Sequence, residues 1–592
     1  MLFPALLALA LTAPPAVAPS PPAAGPATAT AAAPAAAASD PRIVLLDAMR
    51  AELTRSMDRL RLSGYEPPYF LAYQMKDLRS EEVAARAGAV YVDQARRTRK
   101  MYVDLRVGTY ELDSSAGSDP MTAMLGNQGQ TWFAPRDAPI EDDPQALRNA
   151  LWLLTDEKYK EALASWFRKR SRDVYRPEEP ERAPSFSREQ PQRHVDAPAR
   201  FAFDRERWRA ATRELSALSR RHPAVFEFAV KITADHQGRW FTSSEGSALV
   251  TEEVLFGVHM QALARAEDGQ LLENGRDFYA RSEDGLPPMA KLRAEATKVL
   301  EEIEALRRAP VLDPYTGPAI LAPEATGVLF HEAVGHRLEG DRQDDDQDGQ
   351  TFRGQVGRSV LPSVISVLDD PTLREHRGTP LIGHYRFDDQ GVPAQRALLV
   401  EDGVLKGFLL SRKPVLPFAR SNGHGRSQGP QAPVARMANL VVTSKQPVTA
   451  DELKRRLIAE AKRQGKPFGL IIREITGGDT NTASWGYQAF RGTPRLVWRV
   501  DVETGKEELV RGVELVGTPL ASVNRVVATA DDARAFNGFC GAESGYVPVS
   551  TVAPSALVSE LELQRVARAN ERSPILPAPW NDNVVQGQRP AR

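Results

Sequence analysis

An α+β fold is predicted, and three observations predict it. Apolar residues recur at helical spacing in a few separate windows, alternate in many more, and the alternating windows are joined by residues typical of turns. Their distribution is uneven. The first half of the 592-residue chain mixes helices with extended segments, which predicts helices packed on a sheet, whereas the second half is strand-rich around one helix bearing a histidine pair. One hydrophobic core rarely organises so long a chain. We therefore expect an N-terminal domain over residues 40–310, a C-terminal domain over 311–575 and a tail over 576–592.

The elements follow in order. Residues 1–18, MLFPALLALALTAPPAVA, are a short apolar run ending in small residues, too short and proline-interrupted for a bilayer span but suited to a signal peptide. Export to the periplasm or beyond is expected, although no Lys or Arg precedes the run and Pro19 follows Ala16-Val17-Ala18. Residues 19–39 are a Pro/Ala-rich linker, and no cysteine stands near the start to carry a lipid. Folding begins at Asp40-Pro41, an N-cap and first helical residue, after which Leu46, Met49, Leu53, Met57 and Leu60 share one helical face up to Gly64. PYFLAYQM and KMYVDLRVGTYEL are extended. Residues 112–200 hold a loop, a helix opening after Asp143-Pro144 with Leu147, Leu151, Leu154, Leu163 and Trp166, and a Pro-rich charged arm. A helix around Trp208, Leu215 and Leu218 leads to strands from Phe226 to about Leu272, and a helix over 288–308 closes the domain.

In the second half ALLVEDGVLKGFLLS is a hairpin turning at Asp402-Gly403, while RLVWRVDVETGKEELVRGVEL and SVNRVVATA are further strands. Thr449 with Glu452 three residues later forms a capping box for one helix.

Charge excludes some functions. Lys plus Arg (76) nearly balances Asp plus Glu (77) with no long basic block, so neither nucleic acid nor an anionic membrane is an expected partner. The single cysteine, Cys540, excludes an internal disulfide and leaves buried bulk, an exposed thiol or a ligand.

PEATGVLFHEAVGHRLEGD at 323–341 carries the chemistry. In the familiar H-E-x-x-H arrangement two histidines four apart reach one zinc from the same helix face. His331 and His336 are five apart, which in a regular helix separates them by roughly 140°. A wider turn of the π type would realign them, and Gly335 eases that distortion. The other histidines are scattered singly, and Cys540 lies between glycines in RAFNGFCGAESGYVPVS. A His-His-Cys set leaves a fourth position for water, the open coordination of hydrolytic zinc. Two ordinary histidines beside a helix end is the alternative.

GVLFHEAVGHRLEGD, FRGQVG, EDGVLKGFLLS, NGHGRSQGPQAPVARMANL and the glycine-flanked Cys540 followed by YVPVS resemble, in that order, the TldD/PmbA family of metallopeptidases over about residues 310–555. The resemblance implies zinc as cofactor, His331, His336 and Cys540 as its ligands, and Glu332 as general base. It also implies short or unfolded peptides held extended against a strand edge, and a homodimer or a heterodimer with a paralogous chain. His424, Arg426 and Arg436 are candidates for stabilising an oxyanion. The leader, the 112–200 insertion and the acidic loop DRQDDDQDGQTFRGQ depart from the family pattern. In that loop Asp344, Asp346, Asp348 and Gly349 stand at EF-hand-like positions, but Gln355 replaces the twelfth-position Glu, so a solvated turn is expected rather than calcium. GGDTNTASWGYQAFRG matches the family only loosely. Two other classes stay open: a catalytically silent partner binding peptides or a sister subunit, and a zinc hydrolase of a non-peptide amide or ester.

Overall fold

Pro41, with its fixed φ, opens the first helix, α1 (Pro41–Arg59), which buries Leu45, Leu46, Met49 and Leu53. The computed structural model describes residues 40–115, 136–173, 183–344, 348–482 and 490–566, with 574, 576, 578 and 579. The expected signal peptide and linker, most of the tail and parts of the 112–200 insertion lie outside the described residues. No described helix is long and apolar enough to cross a membrane, which says nothing of a β-barrel.

Two 19-residue strands follow, β1 (Pro68–Arg86) and β2 (Ala89–Val107), then helix α2 (Pro144–Asp173), β3 (Arg193–Val195), α3 (Arg205–Ala217), β4 (Val225–Ser243), β5 (Ala248–Arg265), β6 (Leu271–Ala280) and α4 (Met289–Arg308). The strands form one sheet in the order β2-β1-β4-β5-β3, with β6 also on β5. Alternation along β1 divides its labour. Leu71, Tyr73 and Met75 pack with α1 and α2, whereas Gln74 and Lys76 face the second half, bonding the Asp389 and Ser427 carbonyls at 2.9 and 2.6 Å. The α3 and α4 helices cover the rest of the sheet through Trp208, Leu215, Leu292, Val299 and Ile303.

The expected boundary near 310 falls in the connection from α4 to β7 (Tyr315–Leu321). Next come α5 (Pro323–Phe330), β8 (Ile365–Asp369), the two-residue strands β9 (Glu375–His376) and β10 (Thr379–Pro380), then β11 (Ala397–Glu401) and β12 (Val404–Leu405). Two further short strands, β13 (Gly425–Arg426) and β14 (Val434–Ala435), precede β15 (Asn439–Ser444) and helix α6 (Ala450–Arg463). The last segment comprises β16 (Phe468–Thr480), β17 (Phe490–Asp501), β18 (Glu507–Val510), β19 (Val513–Gly517), α7 (Pro519–Asn524), β20 (Val526–Thr529), β21 (Arg534–Ala542), β22 (Gly545–Ala553) and β23 (Ala556–Arg565). Two sheets result. One is open, β12-β11-β8-β15-β22-β21; in the other, pairing of β16 with β17 closes the ring β16-β7-β23-β19-β17. The α5 helix is buried between them, consistent with its nearly continuous apolar sequence.

Two expectations change. GFLLS is irregular rather than the second arm of a strand pair, because the hairpin turned by Asp402 (φ 54°) and Gly403 (φ 79°) pairs only through Leu405. Ser522, Val523 and Asn524 are helical, since Pro519 starts a short helix before β20. Thr449 caps α6 as expected, accepting from the Glu452 N–H.

Candidate metal centre

Just beyond α5 the chain widens. His331–Gly335 is a single π-helical turn, and the His336 N–H reaches back five residues to the His331 carbonyl. This places the imidazoles on one side, with ring centroids 5.0 Å apart and planes at 89°. Arg337 supports the distortion from behind, donating to the Glu332 carbonyl at 3.0 Å and to Thr480 Oγ1 at 3.1 Å. Gly335 is required by packing as well as by the turn. A Cβ there would collide with Sδ of Met437, itself buried. Gly335→Ala is expected to destabilise the fold by about 1–3 kcal/mol, with partial relief in the Gly335→Ala/Met437→Ala pair, measured by denaturant unfolding. A Gly335→Ala chain as stable as wild type would refute this packing role.

Strand β21 brings Cys540 to the same point from more than 200 positions away. Its Sγ lies 3.1 Å from His331 Nε2 and 3.3 Å from His336 Nε2, with all three side chains buried. The three ligand atoms fall within 4.8 Å of one another, the one such group among the described residues. Two imidazole nitrogens and a thiolate are donors that suit zinc. Burial disfavours charge here, yet the mutual attraction prevails. Cys540 is held well below the usual thiol range by His331 and His336, while His331 is raised above its ordinary range by Cys540, and His336 by Glu339 first and then by Cys540.

Glu332 sits within the turn, its Oε2 3.8 Å from His336 Nε2. Burial raises its carboxyl above the ordinary range, the histidines oppose it, and Cys540 and then Asp479 add to the effect. Gly478 lies against it at an irregularity in the β16–β17 register. A Cβ at 478 would stand 2.6 Å from Glu332 Cγ and 2.9 Å from Val328 Cγ1, so glycine leaves the Glu332 side chain its place.

The expected oxyanion donors are engaged elsewhere. His424 is fully buried with Nε2 3.3 Å from Asp369 Oδ1, and Arg426 donates to the Met437 and Pro548 carbonyls at 2.5 and 2.8 Å. Arg436 stands behind Cys540, bonding its carbonyl at 2.7 Å. Sequence reasoning missed Glu339, whose Oε2 is 3.1 Å from His336 Nδ1. Its spacing, three residues after His336, was the available signal. In the acidic loop, residues 345–347, including Asp346, lie outside the described residues, and Asp348 accepts from Thr482 Oγ1 at 2.8 Å.

Fold and donor set together define a class: an α+β protein with a buried two-histidine, one-cysteine cluster, able to hold a metal, shared by a helix and a sheet strand. A model described as the PmbA/TldA metallopeptidase C-terminal domain matches residues 314–565. A metalloprotease of Archaeoglobus fulgidus is 29% identical over 320 residues, covering 54% of this chain and 68% of that protein. A Saccharolobus solfataricus protein named a zinc metalloprotease TldD homolog is 21% identical over 357 residues, 59% of this chain and 73% of that one. The crystal structure of TldE from Thermococcus kodakarensis shares the fold, with a TM-score of 0.57 and 13% identity over 87% of this chain and 100% of that one. Residues 314–565 thus match the C-terminal domain of the PmbA/TldA metallopeptidases, and most of the chain shares the fold of TldE.

Proposed function

We propose that the protein is a zinc peptidase acting on short or unfolded peptides, with His331, His336 and Cys540 as ligands and Glu332 as general base. The observation that carries this reading is the convergence of the three ligand atoms beside the Glu332 carboxylate. The zinc in the name of the Saccharolobus relative and the metalloprotease names of both relatives support it. Zinc held there would supply Lewis acidity toward a scissile carbonyl and acidify a water. Glu332 accepts the water proton and delivers it to the leaving amine, a task suited to a carboxyl raised by burial. A thiolate donates more charge than an imidazole, so the burden on Glu332 is greater than beside three histidines.

The same reading includes export of the chain and a dimer, formed with itself or with a paralogous chain. The test is hydrolysis by the full chain before chelation, after it and after zinc reloading, on unstructured peptides, folded proteins and simple esters. Peptide cleavage lost on chelation and restored by zinc is the expected result. Zinc-dependent ester hydrolysis without peptide cleavage would favour the non-peptide hydrolase instead.

A further inference from the structure

We infer that Glu339 and Arg436 form a positioning pair that fixes which nitrogen of His336 faces the metal and holds strand β21 within reach of it. The inference rests on the metal-site reading above.

His336 meets two partners on opposite sides of its ring. Nδ1 is 3.1 Å from Glu339 Oε2, and Nε2 is 3.3 Å from Cys540 Sγ. An ionised carboxylate only accepts hydrogen bonds, so Nδ1 carries the proton and the Nε2 lone pair is left for an ion. Two guanidinium groups flank the Glu339 carboxylate: Arg342 Nε at 2.8 Å on one oxygen and Arg436 Nε at 3.5 Å on the other. Among the described residues, that Glu339 Oε1 and that Arg436 Nε have no shorter hydrogen bond elsewhere.

The other nitrogens of Arg436 turn to the hairpin that carries Cys540. Nη2 donates to the Cys540 carbonyl at 2.7 Å, and Nη1 to Ser544 Oγ and the Gly545 carbonyl at 2.9 and 3.0 Å. One fully buried guanidinium thus bridges the acid behind one ligand and the backbone of another. Arg342 makes a second tie between the same segments, reaching Glu543 Oε2 at 3.1 Å. Burying such charges is costly and gives little net stability. Their location behind a ligand set is what outer-shell partners of metal-binding histidines require.

The experiment measures zinc affinity of the full chain by chelator competition, with the cobalt(II) absorption spectrum in parallel, for wild type, Glu339→Gln, Arg436→Ala and Arg436→Lys. Glu339→Gln and Arg436→Ala are expected to weaken zinc binding roughly 10- to 100-fold. Arg436→Lys, which keeps the charge without the fork, is expected to fall between, and Arg436→Ala to perturb the thiolate-to-cobalt band because Cys540 loses its backbone anchor. Unchanged affinity and spectrum in both Glu339→Gln and Arg436→Ala overturn the pair. Where a variant does not fold, ¹⁵N-histidine NMR of zinc-loaded wild type decides: His336 protonated at Nδ1 supports the pair, and protonation at Nε2 overturns it. A wild type that takes up neither ion overturns the metal-site reading and the pair with it, whereas a metal-loaded wild type with unaffected variants overturns the pair alone.

Discussion

Glu332→Gln is expected to lower kcat/KM for peptide hydrolysis by about 10²–10⁴-fold, the usual contribution of a positioned general base, while zinc content stays at the wild-type level. Glutamine has nearly the same shape, so the place of the side chain beside Gly478 is retained and only proton acceptance is removed. Loss should appear chiefly in kcat, because in the proposed mechanism the carboxylate acts on the reacting water and leaving group rather than on substrate held at a distance. Metal analysis beside steady-state kinetics checks this. If the variant keeps zinc and full activity, another group is the base.

Cys540→Ser carries the second large effect. A hydroxyl is a far poorer zinc donor than a thiolate, so affinity should fall by more than the roughly 10- to 100-fold typical of an outer-shell change. Measured as zinc per chain after dialysis against a weak chelator, wild type should retain about one ion and the variant little. Activity should follow the metal and return only at high added zinc. A Cys540→Ser chain that holds zinc as tightly as wild type would remove Cys540 from the ligand set.

Much of this site is legible in the chain itself. The five-residue offset of His331 and His336 demands a wide turn, and the structure supplies a π turn over His331–Gly335. Gly335 is readable as permissive, but its collision partner, Met437, is a hundred positions away and has no local signature. The same limit explains His424, Arg426 and Arg436. Their residue types promise donors, while their destinations at Asp369, Met437, Pro548 and Cys540 depend on pairings between distant strands. Glu339 went unread because a carboxylate beside a histidine at a helix end is ordinary until burial gives it a role.

Strands show the same division. In β1 and β2 the apolar portions, PYFLAYQM and KMYVDLRV, are readable, but pairing continues through the polar residues to Arg86 and Ala89. Much of that stretch of β2 is exposed, so no apolar alternation marks it. Mixed helices and strands before residue 310 and a strand-rich remainder are likewise legible, whereas closure of the ring through β16 and β17 is not, since one strand pair in the chain order looks like any other hairpin.

Cys540 lies on β21, which among the described residues ends its sheet and has β22 as its only sheet neighbour. An ion bound there would act as a crosslink between the helix end and a strand 209 positions away, closing a long loop of chain in the way that metal clips do. Its binding energy then adds to folding, by about 2.7 kcal/mol when free ion stands at a hundred times its dissociation constant. Zinc supply would therefore govern how long the folded chain resists proteolysis as well as any hydrolysis that depends on the ion.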